Sequence, residues 1–383
     1  MIYLDHNATT RPHPEVIKEM ARATEIFGNP SSPHGAGRRA RQVVEQARAQ
    51  VAGLLGVASE EIVFCSGGTE GDQLAIVGGA RAERQKSGRH GIVSSPLEHP
   101  AVKGSLELLE REGFAVRRVG VAGDGTIDPE ELSRALDGST ALVTLAAANH
   151  ELGNRYSIAE FAARAHAVGA LFHSDLVQAA GKVPLDLSEV DLATLSAHKI
   201  YGPKGMGALF VRRGIEIAPL TPAGHQERGR RPGTENVMGI VGLGAACALL
   251  QREGPAWAKS ISLLRDRLEQ SILAISGARR FGGSDRVPGT CNVGFRGITG
   301  EVIMQNLDLS DVAVSTGAAC TSGSLEPSPV IRALGFPREE AAEAVRFSLG
   351  WANTEAEIDV VVAALGEIVR RLRQLDLGKV RYQ

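Results

Sequence analysis

Two short stretches of the chain deliver chemistry-bearing side chains at the ends of apolar runs. In TLSAHKIYGPKGMGALFVRR (194–213) a strand-like segment ends on Ser196, His198 and Lys199, and Gly202-Pro203 then breaks the pattern. An amine brought in by a buried strand loses hydration, which lowers its pKa and makes it a nucleophile. Lys204, in the GPKG turn, is the rival amine, but a turn position is more exposed and suits the task less. Upstream, FHSDLVQAAG (172–181) ends another apolar run on Asp175, where a carboxylate is costly without a cationic partner. Such a group either caps a turn in contact with water or holds a proton on a heteroaromatic nitrogen, and Gln178 can point into the same site.

A third stretch, FCSGGTEGDQ (64–73), runs from a strand through Gly67-Gly68 into a helix opened by Thr69. A turn of this kind serves as a plain helix cap or as an anion cradle, with backbone N–H groups, the helix dipole and the Thr69 hydroxyl facing a phosphate. It is neither a G-x-x-x-x-G-K-[ST] loop nor a G-x-G-x-x-G fingerprint. Taken together, a strand-end carboxylate, a strand-end amine and an anion cradle are what pyridoxal 5'-phosphate requires.

The elements that must position these groups follow from the alternation of short apolar runs with helical patterns. EIVFC (61–65), GIVSS (91–95), FAVRRVGV (114–121), ALVTLAAA (141–148), ALFHSD (170–175) and DLATLSAHK (191–199) read as strands separated by helices. This predicts an α/β fold with a mostly parallel sheet covered on both faces, and ligands beyond the carboxyl ends of its strands. A long helix over about 236–276 leads to a strand–helix mixture (GTCNVGF, EVIMQNLD, VAVST, VRFSLG and a final helix over about 354–375) that reads as a smaller α+β domain.

Length and composition agree with this. The 383 residues predict two domains, and 43% hydrophobic with 22% charged residues describes a globular protein with a sizeable core. A formal net charge of −2 gives no basic excess, so direct nucleic-acid binding is not expected. The opening MIYLDHNATT has no leader pattern and no run of about 18 apolar residues occurs, which predicts a cytoplasmic protein without membrane contact.

Four cysteines, Cys65, Cys247, Cys291 and Cys320, are scattered without pairing or zinc-site spacing. The first three sit in apolar runs and read as buried structural thiols. Cys320 alone lacks an apolar setting, lying in the small, polar stretch STGAACTSGSLEPS (315–328).

These motifs, with YLDHNATT, FGNPSSPHGAGR, EHPAV, QERGRRPGTENV and RFSLG, run in order over nearly the whole chain, which resembles the cysteine desulfurases of the class V aminotransferases. The resemblance implies a pyridoxal-phosphate-dependent transferase of fold type I, working as a homodimer on L-cysteine and passing sulfur to an acceptor protein. With the boundary read near 255, at REGPAW, the domains are a large cofactor-binding domain over 14–254 and a small domain of 1–13 and 255–383 carrying the catalytic cysteine loop. Lys199 would form the Schiff base, Asp175 pair with the pyridinium nitrogen, Gln178 approach the phenolic oxygen, and His99 stack on the ring and relay protons. Gly68, Thr69, Ser196 and His198 would hold the phosphate, joined by Thr234 of the partner subunit. Arg346 would grip the substrate carboxylate, with Asn149 beside it, and Cys320 would attack the substrate sulfur and carry it as a persulfide. No metal is implied. The arginine run 226–231 would line the entrance on the dimer side.

Two positions depart from the family pattern. Asn149-His150-Glu151-Leu152-Gly153 stands where Asn-Asn-Glu-Thr-Gly is usual, so His150 occupies a cofactor- or substrate-contacting position, and Trp351 follows SLG where an arginine or similar residue is more common. The resemblance leaves open a selenocysteine lyase or another pyridoxal-phosphate aminotransferase, and does not name the sulfur acceptor.

Overall fold

The computed structural model describes residues 1–317 and 326–380, so Cys320 lies outside the described residues. The chain opens on β1 (Ile2–Tyr3), which joins a distant strand described below. The strands β2 (Ile62–Cys65), β3 (Gly91–Ser94), β4 (Ala115–Arg118), β5 (Thr140–Thr144), β6 (Leu171–Asp175), β7 (Leu192–Ser196) and β8 (Gly207–Val211) then form one sheet in the order β2-β8-β7-β6-β5-β3-β4. Only β8 runs against its neighbours, pairing antiparallel with both β2 and β7. The other pairings are parallel, as the alternation of strands and helices predicts.

Successive strand residues point to opposite faces, and here both faces are buried. Ile62, Val143, Ala193 and Phe210 enter one core with the helices Gly35–Leu55 and Ile158–Ala167. Val63, Leu142, Leu192 and Leu209 enter the other with the helix Pro100–Arg111. Cys65 and Cys247 are buried as the sequence predicts, and burial pushes the Cys65 thiol up to about 12.

A second core is built on β9 (Ala278–Phe281), β10 (Thr290–Phe295), β11 (Val312–Ala313) and β12 (Ala344–Ser348). β12, β10 and β9 form an antiparallel sheet that buries Cys291, Val293, Val345 and Phe347, and β1 pairs parallel with β11 beside it. β9 is not legible in the sequence, because ARRF has neither alternation nor β-branched residues. The helix Val237–Leu273 serves both cores: Ile240, Leu243 and Leu250 face the large sheet, whereas Ile261, Leu268 and Ile272 face the small one. Position 255, a proline, lies inside this helix. Among the described residues no helix is long and apolar enough to cross a membrane.

The long helix lies against Gly35–Leu55 at very close range. A Cβ on Gly244 would sit 2.7 Å from Ala47 Cα and 2.5 Å from Gln50 Oε1. Gly→Ala in an open helix gains about 1 kcal/mol of propensity. At this contact the sign reverses, because the helices must separate or distort, at a cost of about 1–3 kcal/mol for overpacking. Gly244→Ala is therefore expected to lower the midpoint of denaturant unfolding, and a raised midpoint would contradict the packing described.

Candidate active site

The pocket of interest opens at the carboxyl ends of β2, β6 and β7, with about 950 Å³ of empty space including its mouth. Of the residues predicted from the sequence, Gly68, Thr69, His99, His150, Asp175, Gln178, Ser196, His198, Lys199 and Arg346 line it together. Strand order explains this: β6 and β7 are adjacent and parallel, so Asp175 at the end of one and Ser196 at the end of the other emerge side by side.

The Gly-Gly-Thr turn has the strain its sequence suggests. Gly67 sits at φ 155°, ψ −174°, a region open to glycine alone, and this bends the chain from β2 into the helix Gly68–Gln73. A Cβ on Gly67 would lie 3.8 Å from Ser196 Oγ, and one on Gly68 3.0 Å from Val177 Cγ2 and 3.7 Å from Ser196 Cβ. Ser196 Oγ is buried and has no hydrogen-bond partner. A buried hydroxyl costs free energy unless something accepts or donates to it. With Thr69 and His198 on the same wall, it fits the phosphate of pyridoxal phosphate.

Lys199 follows β7 on the short turn Ala197–Lys199, and its Nζ donates to the carbonyl oxygens of Asn7 (2.5 Å) and Ala8 (2.8 Å). The acceptors belong to an N-terminal segment fastened along 198–201. Thr10 N–H and Oγ1–H both donate to His198 O, Tyr201 N–H donates to Thr10 Oγ1 at 2.7 Å, and His13 N–H donates to Tyr201 O. Tyr201 adopts φ 65°, a left-handed conformation unusual for an aromatic residue, which turns the chain away just beyond Lys199. Asn7 also donates from Nδ2 to Thr290 Oγ1 on β10 and to His150 O, and its carbonyl accepts from Gln178 Nε2.

Asp175 Oδ1 accepts from Val177 N–H at 2.8 Å. Burial pushes this carboxyl up to about 6, opposed by the Val177 hydrogen bond and by Lys199. A cation beside it would bring it back to the ionised form. Asp72 and Glu98 lie close enough to disfavour a second negative charge: burial and Asp175 raise Asp72 well above the carboxylate range and Glu98 to about 8.

His99 caps the helix Pro100–Arg111, its Nδ1 accepting from Ala101 N–H at 3.1 Å, and burial, then Lys199 and Lys103, push it down to about 4. His150 meets it edge to face with ring centroids 5.3 Å apart, and burial also holds His150 well below its usual range. Arg346, on β12, is buried, donating to His150 O at 2.9 Å and Asp5 Oδ1 at 2.8 Å, while its Nε has no partner.

Asn149 does not reach the pocket wall. Its side chain holds the turn, donating to Leu97 O and accepting from the N–H groups of Glu151 and Leu152. Thr234 is exposed and is not part of this wall. The 226–231 run lies along the outer edge of β2, where Glu227 accepts from Phe64 N–H and pairs with the buried Arg48. Sequence reasoning missed Asn7, Asp72, Glu98 and Lys182. For Asp72 a signal was present, an acidic residue on the apolar face of its helix; Asn7 contributes mainly a carbonyl, which no side-chain pattern reveals.

Residues 2–361 match the family model for aminotransferase class-V. A cysteine desulfurase of Trichormus azollae is 48% identical over 380 residues, covering 98% of this chain and 94% of the relative. The solved structure of a NifS-like protein superposes with TM-score 0.90 at 36% identity, over 96% of this chain and 99% of that one. A structure of SspA in complex with cysteine superposes with TM-score 0.80 at 30% identity, over 92% and 100%.

The tilt toward neutral imidazole is measurable. An unfolded histidine titrates near 6.5, whereas folded His99 and His198 are pushed down to about 4. Between those values the unfolded chain binds protons that the folded one does not, so acidification from pH 6.5 toward 4 destabilises the fold. Ring resonances of His99 are expected to stay in the neutral form down to about pH 5; titration near 6.5 would contradict the burial described.

Proposed function

Since the chain belongs to the class-V aminotransferases and, within them, to the cysteine desulfurases, we propose that it removes sulfur from L-cysteine and carries it as a persulfide on Cys320. The observation that carries this reading is the meeting, in one pocket, of Lys199, Asp175 and the unpartnered hydroxyl of Ser196. Pyridoxal phosphate, when bound, supplies an aldehyde for covalent attachment and a ring that accepts the electron pair released at the substrate α-carbon.

The residues divide the remaining work. Lys199 Nζ would be the attachment amine for the cofactor and the group that moves the proton at the substrate α-carbon. Asp175 would hold a proton on the ring nitrogen, since burial disfavours its charge and a cationic nitrogen beside it would restore the ionised form. Ser196 Oγ, Thr69 Oγ1, His198 and the Gly68 backbone would take the phosphate. Gln178, donating to Asn7 O and accepting from Lys182 Nζ at 2.8 Å, would approach the phenolic oxygen. Arg346 grips the substrate carboxylate; Asp5 and the His150 carbonyl fix its plane and leave donors unused, Nε among them. His99 would stack on the ring of bound pyridoxal phosphate and relay protons through Nε2, because Nδ1 accepts from Ala101 N–H.

Cys320 Sγ, as a thiolate, forms a bond to the substrate sulfur while the bond from that sulfur to the β-carbon breaks. The carbon keeps the electron pair, takes a proton, and leaves as alanine. The thiolate attacks, so the fraction ionised sets the rate.

The same proposal extends to the assembly. Thr234 is exposed and away from the pocket wall of its own chain, which suits a residue offered to the phosphate of a second copy in a homodimer. The chain divides into 14–254 and 1–13 with 255–383, works in the cytoplasm, and delivers its sulfur to an acceptor protein.

Reaction with ³⁵S-cysteine is expected to leave reductant-labile label on the wild-type protein. Cys320→Ala should keep the cofactor absorbance and lose the label, whereas Lys199→Ala should lose cofactor that borohydride can fix to the chain. Label persisting on Cys320→Ala would overturn the assignment.

A further inference from the structure

Two consecutive residues outside the pocket hold a costly backbone. Glu227 (φ 47°, ψ 37°) and Arg228 (φ 58°, ψ 35°) are both left-handed, a conformation that long side chains keep only where the surroundings enforce it. The enforcing contacts lie at the outer edge of β2. The Glu227 carboxylate, on a side chain 4% exposed, accepts from both terminal nitrogens of Arg48, at 2.8 and 2.9 Å. Its Oε2 also accepts from Phe64 N–H at 2.9 Å. Arg48 in turn donates to Ile62 O at 2.8 Å and lies 4.6 Å from the centre of the Phe64 ring. The buried pair thus satisfies the outward backbone groups of β2, which is an edge strand.

The same segment holds the turn that follows β2. Arg231 donates to Glu70 from Nε, at 2.8 Å to Oε1, and from Nη2, at 3.3 Å to Oε2. Glu70 Oε2 accepts in addition from Ser66 N–H at 2.6 Å. Phe64, Ser66 and Glu70 bracket the Gly67-Gly68-Thr69 turn, and all three are tied to 227–231. On the opposite side β8 closes in: a Cβ on Gly207 would stand 2.7 Å from Gly67 Cα. Gly67 precedes the helix Gly68–Gln73 and has no side chain with which to cap it. The position of the turn is accordingly set from outside. Its inner residues, Gly68 and Thr69, line the pocket, whereas Arg48, Glu70, Glu227 and Arg231 do not.

We infer that Glu227 and Arg231 are positioning residues for the phosphate of pyridoxal phosphate. Without touching the cofactor, they hold the turn from Phe64 to Glu70 against β8, so that Gly68 and Thr69 stay within hydrogen-bonding distance of phosphate oxygens. The strained, arginine-rich segment 226–231 thereby has a task inside its own chain. Hydrogen bonds to an anion weaken steeply as distance and angle depart from their optimum. A small outward movement of the turn therefore costs phosphate affinity, while Asp175 and Lys199, delivered by β6 and β7, stay in place. This inference rests on the pyridoxal-phosphate reading above.

The affinities of the cofactor-free protein for pyridoxal phosphate and for pyridoxal, which lacks the phosphate, separate this role from a general loss of structure. The Arg48–Glu227 pair is buried, and removing one partner endangers folding. The test therefore falls on the partly exposed Arg231–Glu70 pair. Arg231→Leu is expected to weaken pyridoxal phosphate about tenfold, the equivalent of one charge-assisted hydrogen bond, and to change pyridoxal by less than about twofold. Glu70→Ala, which also frees Ser66 N–H, should weaken pyridoxal phosphate at least as much. The double variant should go no further than Glu70→Ala alone, because both substitutions break one linkage. Arg231→Lys should recover most of the affinity. Unchanged affinity for pyridoxal phosphate in Arg231→Leu, or equal losses for the two compounds, would overturn the inference while the cofactor reading stands. A wild-type protein that binds pyridoxal phosphate no better than pyridoxal would remove the cofactor reading itself.

Discussion

The site depends on where a half-buried amine finds its acceptors. Lys199 Nζ donates to the carbonyls of Asn7 and Ala8, and those carbonyls belong to a segment that leaves the second core at Leu4. Leu4 N–H donates to Ala313 O and Ser348 N–H donates to Leu4 O, so the segment is fixed on β11 and β12 before it crosses to the large sheet. There Thr10 and His13 fasten it to 198–201. Asn7, with bonds to Thr290, His150, Gln178 and Lys199, therefore ties β10 to the ends of the parallel strands. A shift of either core moves the carbonyls that receive the amine. Placement within about 0.5 Å is what catalytic groups need, and here it is supplied by two packed bodies rather than by a loop.

The electrostatics follow from the same enclosure. Charges that cannot be hydrated are kept only where a partner or hydrogen bond compensates. Arg346 has Asp5, and Lys182, pushed down to about 7 by burial and then by Lys199 and Arg346, has Gln178 Oε1. The groups with weaker compensation move toward neutrality: His99 and His150 downward, Asp72 and Glu98 upward. Asp175 lies between these classes, which is why a nitrogen placed against it can set its state. The pocket thus keeps formal charge where an ion pair or hydrogen bond compensates it, as at Arg346, and neutral groups elsewhere.

How much of this could be read in the sequence follows from which physical signals are local. Asp175 and Lys199 are polar residues ending apolar strands, and the Gly67-Gly68-Thr69 turn needs a glycine-only conformation; each is visible within ten residues. The parallel sheet is visible because strand and helix periods differ. Asn7 is not, since its contribution is a backbone carbonyl whose partner lies far along the chain. β9 forms because Arg279 and Arg280 find Glu340, Glu343 and Glu269 around a pairing surface made by β10, a tertiary fact. His150 stands out as a departure from a motif, but its pairing with Glu151 depends on how the turn held by Asn149 presents two successive side chains.

Covalent geometry constrains the remaining part of the chemistry. Gly317 lines the pocket, at φ 79°, with its Cα so near Glu151 that a Cβ there would meet the carboxylate at 2.5 Å. Ser328 donates to the same carboxylate. Cys320 lies between these two points in the chain, three peptide units from Gly317, and consecutive Cα atoms are 3.8 Å apart, so its Cα is at most about 11 Å from that glycine. No fold of the intervening residues can carry it farther. At Gly317 a left-handed backbone pressed against a carboxylate excludes any larger residue. The side chain against Gly317, Glu151, also lies 3.6 Å from His150 Nε2, so one buried carboxylate adjoins both.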